Sequence, residues 1–234
     1  MKKTYKNLVK NIKRYFKRNK IKKAVIGLSG GIDSALSLRL VADAIGGENI
    51  TALLMPEKGL TKRENVDDAV ELCKFLRVKY RIIEINPMLE KFKGLGIKQN
   101  KQSWINLKPR IRMLVMYNYA NASNSLVIGT SNKTELALGY FTKYGDGACD
   151  IEVIGELYKT EVWSLSKYLN LPERIINKKP SAELYHQHTD EGEIGESYKD
   201  IDKMLQGKKK MSRKLKLLIK KNKHKTEKIP IINK

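Results

Sequence analysis

Short apolar runs at residues 24–28, 50–55, 80–85 and 125–129 are separated by stretches with apolar residues at helical spacing, over 34–45, 61–76 and 103–122. Strands joined by crossovers of that length run parallel, because each helix carries the chain back along the sheet, and a parallel sheet needs both faces covered. The alternation therefore predicts an α/β fold: an open parallel sheet with helices on both faces. Further helices are expected over 159–169, 197–205 and 211–223. A basic amphipathic helix is expected over 5–16, where Tyr5, Leu8, Val9, Ile12, Tyr15 and Phe16 form one stripe, so the fold carries extra helices at both termini. That stripe reads as a helix docked on the core rather than one lying on a membrane surface. Thr61-Lys62-Arg63-Glu64 reads as a capping box. Residues 143–152 read as loop, and residues 181–195, rich in acids, as a mobile loop too polar for the core.

Charge narrows the function less than its size suggests. The chain has 47 Lys and Arg against 25 acids, a net charge of +22, and the excess sits entirely in residues 1–23 and 207–234. A neutral body with two basic ends suits either a small-molecule enzyme with Lys-rich outer helices or a domain whose arms grip a polyanion. No apolar run approaches the roughly 18 residues of a membrane span, and the first twenty residues lack the apolar stretch of a signal peptide, so a soluble, cytoplasmic protein is expected. Cys73 and Cys149 form no CxxC pair, and three histidines leave little for a metal, so carboxylates are the expected metal ligands.

The most specific segment is Gly27-Leu28-Ser29-Gly30-Gly31-Ile32-Asp33-Ser34, placed where the first strand feeds a helix. It lacks the lysine of a Walker loop and the spacing of GxGxxG. Adjacent glycines let backbone N–H groups turn inward as an anion nest, and the helix start that follows adds a favourable dipole. Ser29 and Ser34 have hydroxyls to donate. Asp33 would be repelled by phosphates unless a divalent cation lay between them. The plainer alternative is a glycine turn with Asp33 or Ser34 capping the helix.

This SGGxDS turn resembles that of the PP-loop ATP pyrophosphatases, which split ATP between the α and β phosphates, adenylate a carbonyl oxygen, and let a nucleophile displace AMP. Residues 129–150, GTSNKTELALGYFTKYGDGACD, are similar to the block GTxxxxE…TKYGDGxxD of the ammonia-dependent NAD synthetases within that superfamily. Further likeness lies in Asn106…Arg110-Ile111-Arg112-Met113, Leu157-Tyr158-Lys159-Thr160, Lys179-Pro180-Ser181-Ala182-Glu183-Leu184, Asp190-Glu191, Glu193-Ile194-Gly195 with Tyr198, and His224-Lys225. It spans nearly the whole chain. The resemblance implies an adenine nucleotide alpha hydrolase-like fold, a single NAD synthetase domain over residues 1–234 with no glutaminase or nitrilase domain, and ATP, deamido-NAD and ammonia as partners.

It also implies the site. Asp33, Glu135 and Lys143 would be catalytic, with Asp33 and Glu135 holding Mg²⁺. ATP would meet Gly27, Leu28, Ser29, Gly30, Gly31, Ile32, Asp33, Ser34, Thr130, Lys159 and Ser181. Deamido-NAD would meet Arg112, Lys143, Asp150, His224 and Lys225, and the protein would be a homodimer. Independently of the resemblance, Glu135 lies about one turn into the helix after the strand ending at Gly129, at the same carboxyl edge as Asp33. Arg110 and Arg112, two apart on a helix, point about 200° apart and should not serve one ligand equally. His186 and His188 are set aside as a metal pair, and Cys149 reads as an inert small residue. The rival expectation is a PP-loop enzyme acting on tRNA, gripping it with the basic ends. Nucleic acid is set aside because no aromatic-basic RNA module is visible.

Overall fold

The computed structural model describes residues 1–181, Tyr185 and residues 189–232. The elements run α1 (Lys2–Asn19), β1 (Lys23–Gly27), α2 (Ile32–Ile45), β2 (Ile50–Leu54), α3 (Arg63–Phe75), β3 (Lys79–Ile82), α4 (Asn86–Lys93), α5 (Lys101–Ser123), β4 (Ser125–Gly129), α6 (Lys133–Leu138), β5 (Ile151–Glu152), α7 (Lys159–Tyr168), α8 (Glu173–Ile176), α9 (Asp190–Ile194), α10 (Tyr198–Leu205) and α11 (Arg213–Asn222). The sheet has five strands in the order β3-β2-β1-β4-β5, and every pairing is parallel.

Alternate side chains of the central strands feed opposite faces. Ala24, Ile26, Ala52, Leu54, Leu126 and Ile128 join the core packed under α1, α2, α3 and α7. Val25, Leu53 and Val127 point to the other face, against Ile85, Leu89, Ile111 and Met116 from the side of α4 and α5. Emptying one such position, for example Leu53→Ala, should cost about 2–5 kcal/mol through lost transfer energy and the cavity left behind. A third cluster, around Leu138, Tyr198, Ile201 and Leu215, welds α6, α10 and α11 together beyond the sheet.

The strand order positions the site. The chain moves outward from β1 to β2 and β3, then returns to place β4 on the other flank of β1. Loops leaving β1 and β4 therefore diverge, and the crevice between them is where open α/β sheets bind ligands.

Several expectations need correction. Thr61 does not cap α3, because its hydroxyl accepts from the Glu57 amide at 3.0 Å and the helix begins later, with Lys62 as an unbonded N-cap. The third strand stops at Ile82, and Ile85 instead precedes α4, which begins Asn86-Pro87. The loop expected over 143–152 ends in a strand, since β5 pairs Ile151 and Glu152 with Ile128 and Gly129. Within 181–195, α9 is helical and buries Asp190 and Ile194. Ala182, Glu183, Leu184 and the His186/His188 pair lie outside the described residues. The basic first helix does dock on the core, burying Ile12 and Phe16 and donating from the Tyr5 hydroxyl to Asp43 at 2.9 Å.

Candidate active site

At the end of β1 the Leu28 amide still donates to Leu53 O at 3.0 Å, and the chain then turns sharply away. Gly30 makes the turn possible twice over. Its φ is +79°, and a Cβ there would overlap the Asn65 carbonyl oxygen. A hydroxyl web holds the loop in shape: the Ser29 and Ser34 hydroxyls lie 3.1 Å apart, Gly31 N donates to Ser29 Oγ at 3.2 Å, and Ser34 Oγ donates to Gly31 O at 3.0 Å. The N-cap of α2 is Gly31, with no side-chain cap bond. Neither Asp33 nor Ser34 caps the helix, so its first turn keeps the electropositive end suited to an anion.

Asp33 faces the cleft from that first turn, and two other segments meet it. Asn132 and Glu135 form the reciprocal capping box of α6, with Glu135 N donating to Asn132 Oδ1 at 3.0 Å and Asn132 N donating to Glu135 Oε2 at 3.1 Å. The remaining donor of Asn132, Nδ2, reaches Asp33 Oδ1 at 2.9 Å and ties α6 to α2. Lys159, the first residue of α7 and only 1% exposed, ion-pairs with Asp33 Oδ2 and lies 3.8 Å from Glu135 Oε1. Its backbone is fixed too: Lys159 N donates to Thr134 Oγ1 at 3.0 Å, while buried Asp202 accepts from the Thr134 hydroxyl at 2.5 Å and from Thr160 N at 2.8 Å. The ring of buried Tyr198 lies 5.1 Å from the ammonium.

The electrostatics are acidic on balance. Burial, then the neighbouring Asp33 carboxylate, push Glu135 well above the usual carboxylate range despite Lys159. Burial alone would lower Lys159, but Asp33 and Glu135 outweigh it and hold the ammonium above its usual value. Asp190, buried and accepting from the Tyr198 hydroxyl at 3.2 Å, adds a further negative charge nearby. The ammonium thus lies between the carboxyl groups of Asp33 and Glu135, two oxygen donors of the kind a hard divalent cation takes. Among the described residues no group of three or more His, Cys, Asp and Glu is placed to hold a metal ion, so Asp33 and Glu135 could do so only with phosphate or water oxygens supplying the remaining ligands.

The opposite wall is cationic. Lys143 Nζ donates to His224 O at 2.6 Å, and Lys225 Nζ donates to Gly139 O and Phe141 O, both at 2.8 Å. Burial lowers the Lys225 ammonium, with Asp146 opposing. Arg110 and Arg112 both line the cleft but at different points: Arg112 Nε donates to Met55 O at 2.9 Å, whereas Arg110 reaches Lys143 O at 3.3 and 3.4 Å. The two walls enclose a cavity of about 1440 Å³, above the 300–1,000 Å³ of an ordinary ligand pocket.

Of the expected ATP contacts, Gly27, Leu28, Ser29, Gly31, Ile32, Asp33, Ser34, Thr130, Lys159 and Ser181 line this cavity, as do Glu135, Arg112, Lys143, His224 and Lys225. Gly30 and Asp150 do not. Gly30 is buried against Asn65, and Asp150, exposed at the sheet edge, accepts from Val127 N at 2.7 Å and from the Tyr117 hydroxyl at 3.3 Å. Sequence reasoning missed Asn132, Thr134, Asp202 and Lys178. For Asn132 a signal existed, since Asn-x-x-Glu ahead of an apolar run is a helix start. Lys178 lines the cavity and donates to Gly30 O at 3.1 Å, Asn65 Oδ1 at 2.6 Å and Asp68 Oδ2 at 2.8 Å.

Comparison with known proteins agrees in one direction. The family model described as NAD synthase matches residues 4–233. An NH(3)-dependent NAD(+) synthetase of Archaeoglobus fulgidus is 51% identical over 181 residues, 77% of this chain and 73% of that protein. The solved NMN synthetase of Francisella tularensis superposes with a TM-score of 0.93 at 36% identity, covering 99% of this chain and 98% of that one. The solved NH3-dependent NAD synthetase of Campylobacter jejuni does so with a TM-score of 0.81 at 38% identity, with the same coverage.

Proposed function

The chain belongs to the NAD synthase family, and from that premise we infer that it is a ligase carrying out the ATP-dependent amidation of deamido-NAD by ammonia, giving NAD, AMP and pyrophosphate through an adenylated intermediate. The nicotinate carboxylate is a poor electrophile because its leaving group would be oxide. Its oxygen therefore attacks the α-phosphorus of ATP, pyrophosphate departs, ammonia adds to the acyl-adenylate carbon, and AMP leaves. No side-chain nucleophile is needed, and catalysis rests on positioning and on stabilising phosphate charge.

The observation that carries this reading is the meeting of Asp33, Glu135 and Lys159, from three separate segments, beside a glycine turn at the switch point of the sheet. The turn amides and the Ser29 and Ser34 hydroxyls bind the departing pyrophosphate, and Thr130 and Ser181 bind ATP from the facing loops. Asp33 and Glu135 hold Mg²⁺, which when bound neutralises phosphate charge. Lys159 pairs with Asp33 and orients it. Arg112, Lys143, His224 and Lys225 take the dinucleotide, and the cavity volume supports room for both substrates. Asp150, outside the cavity lining of this chain, is kept as a further candidate contact for the dinucleotide. We further propose a homodimer through α5, where Leu114 is 59% exposed beside half-buried Leu107 and Val115, and a cytoplasmic setting. No helix among the described residues is long and apolar enough to cross a membrane.

The test is purified protein with deamido-NAD, ATP, Mg²⁺ and ammonium. One AMP and one pyrophosphate per NAD are expected; ADP and orthophosphate would remove the adenylation step. The likeness to the F. tularensis NMN synthetase favours a second reading, in which the nicotinate mononucleotide is amidated at the same centre. A higher kcat/KM for the mononucleotide than for deamido-NAD would select it.

A further inference from the structure

We propose that Lys178 is a positioning residue that sets the glycine turn for ATP, acting through the Gly30–Gly31 peptide rather than by touching phosphate. Although Lys178 faces the cavity, its ammonium has three N–H donors, and three protein acceptors use them: Gly30 O, Asn65 Oδ1 and Asp68 Oδ2. No donor is left for a ligand while that arrangement holds. A trans peptide is planar, with its C=O and N–H on opposite sides. Holding the Gly30 oxygen on one side therefore aims Gly31 N–H to the other, toward the Ser29 hydroxyl that now accepts it at 3.2 Å inside the turn.

The positive φ of Gly30 makes this anchor necessary. Glycine populates many backbone wells, so a turn built on Gly30-Gly31 can present either a carbonyl or an amide to the cleft unless something fixes it. A carbonyl aimed inward would repel the triphosphate. Lys178 supplies the fixation, and its own position is braced by α3. Asp68, nearly fully buried, is gripped from the other side by Arg174 Nε at 2.6 Å, while the Asn65 backbone packs against Gly30. Lys178 also begins the segment that continues through Lys179 and Pro180 to Ser181, so one ammonium joins the turn, α3 and the base of the loop that carries Ser181 to the cavity.

The proposal rests on the ATP site inferred above, and its test separates the two. In glycine-labelled protein without substrate, the Gly31 amide resonance should move in Lys178→Met relative to wild type. An unmoved resonance overturns the anchor whatever the substrate proves to be, whereas a wild type that releases no pyrophosphate overturns the substrate reading instead. In turnover, Lys178→Met should raise the KM for ATP by about 10- to 100-fold, the scale of a misplaced binding group, with the KM for deamido-NAD changed less than about twofold. Asp68→Asn, which removes the charge and leaves one acceptor oxygen where Lys178 and Arg174 now use two, should move the KM for ATP the same way. Combined with Lys178→Met it should add almost nothing, because the two act as one unit. A direct phosphate ligand behaves oppositely: Asp68→Asn would free an N–H and lower the KM for ATP, which would overturn the proposal, as would additive losses. If Lys178→Met does not fold, Lys178→Arg and Asp68→Asn carry the same comparison.

Discussion

The two walls of the cavity both carry lysines, but they tether them by different means. On the turn side the ammonium groups meet carboxylates, Lys159 at Asp33 and Lys178 at Asp68. On the opposite side Lys143, Lys225 and Arg110 donate to backbone carbonyls. A carboxylate neutralises its lysine; a carbonyl orients it and leaves the charge in place. The turn wall is thus a rigid frame that depends on backbone amides and a cation to hold phosphate. The far wall keeps standing positive charge, the property wanted for a second anionic substrate. Counting lysines could not have separated the two.

The largest expected effect lies on the turn wall. Asp33→Asn and Glu135→Gln should each lower kcat by about 10- to 100-fold, the usual loss around a metal site, and weaken the dependence on Mg²⁺. A change below about threefold in both would show that neither carboxylate is a ligand. Next comes the far wall. Lys225→Met removes a cation and two hydrogen bonds, and a charged hydrogen bond is worth about 1.5–3 kcal/mol. The KM for deamido-NAD should rise about tenfold while that for ATP stays within about twofold; the reverse pattern would exchange the walls. Smallest is the change expected from α1, whose lysines stand away from the cavity lining. Converting Lys6, Lys10 and Lys13 to Gln should leave both KM values within about twofold, and should weaken only salt-sensitive polyanion binding. If pyrophosphate release required tRNA and fell with these substitutions, the basic ends would be functional arms and the walls would no longer be the whole site.

Local pattern reached much of this and stopped at identifiable points. The glycine turn, β1, β2 and β4 were legible because full burial on both faces leaves continuous apolar runs. β5 was not, since two residues at a sheet edge carry no period. Thr61 followed by Glu64 satisfied a capping pattern, but the hydroxyl found a nearer amide at Glu57. Asp190 and Ile194 sit in a polar stretch and are buried by contacts made elsewhere, with Tyr198 supplying a partner. Asp33 and Glu135 could be placed at one edge from strand order. That Lys159 would stand between them, or that Lys178 would hold Gly30, depends on pairings no local window contains.

Those long pairings bear on the order in which the chain folds. β1, β2 and β3 come from one continuous stretch, and each pairs with the next across a single helical crossover, Ala24 with Ile50 and Thr51 with Lys79. Asp33, by contrast, waits for Asn132, 99 residues on, and for Lys159, 126 residues on. Closing long loops costs entropy before any contact repays it, so pairings of that separation form late. A half-folded chain, including one still being synthesised, would own the glycine turn without Glu135 or Lys159 beside it. The apparatus for breaking ATP is completed only when folding is, which spares the cell an intermediate that consumes nucleotide to no purpose.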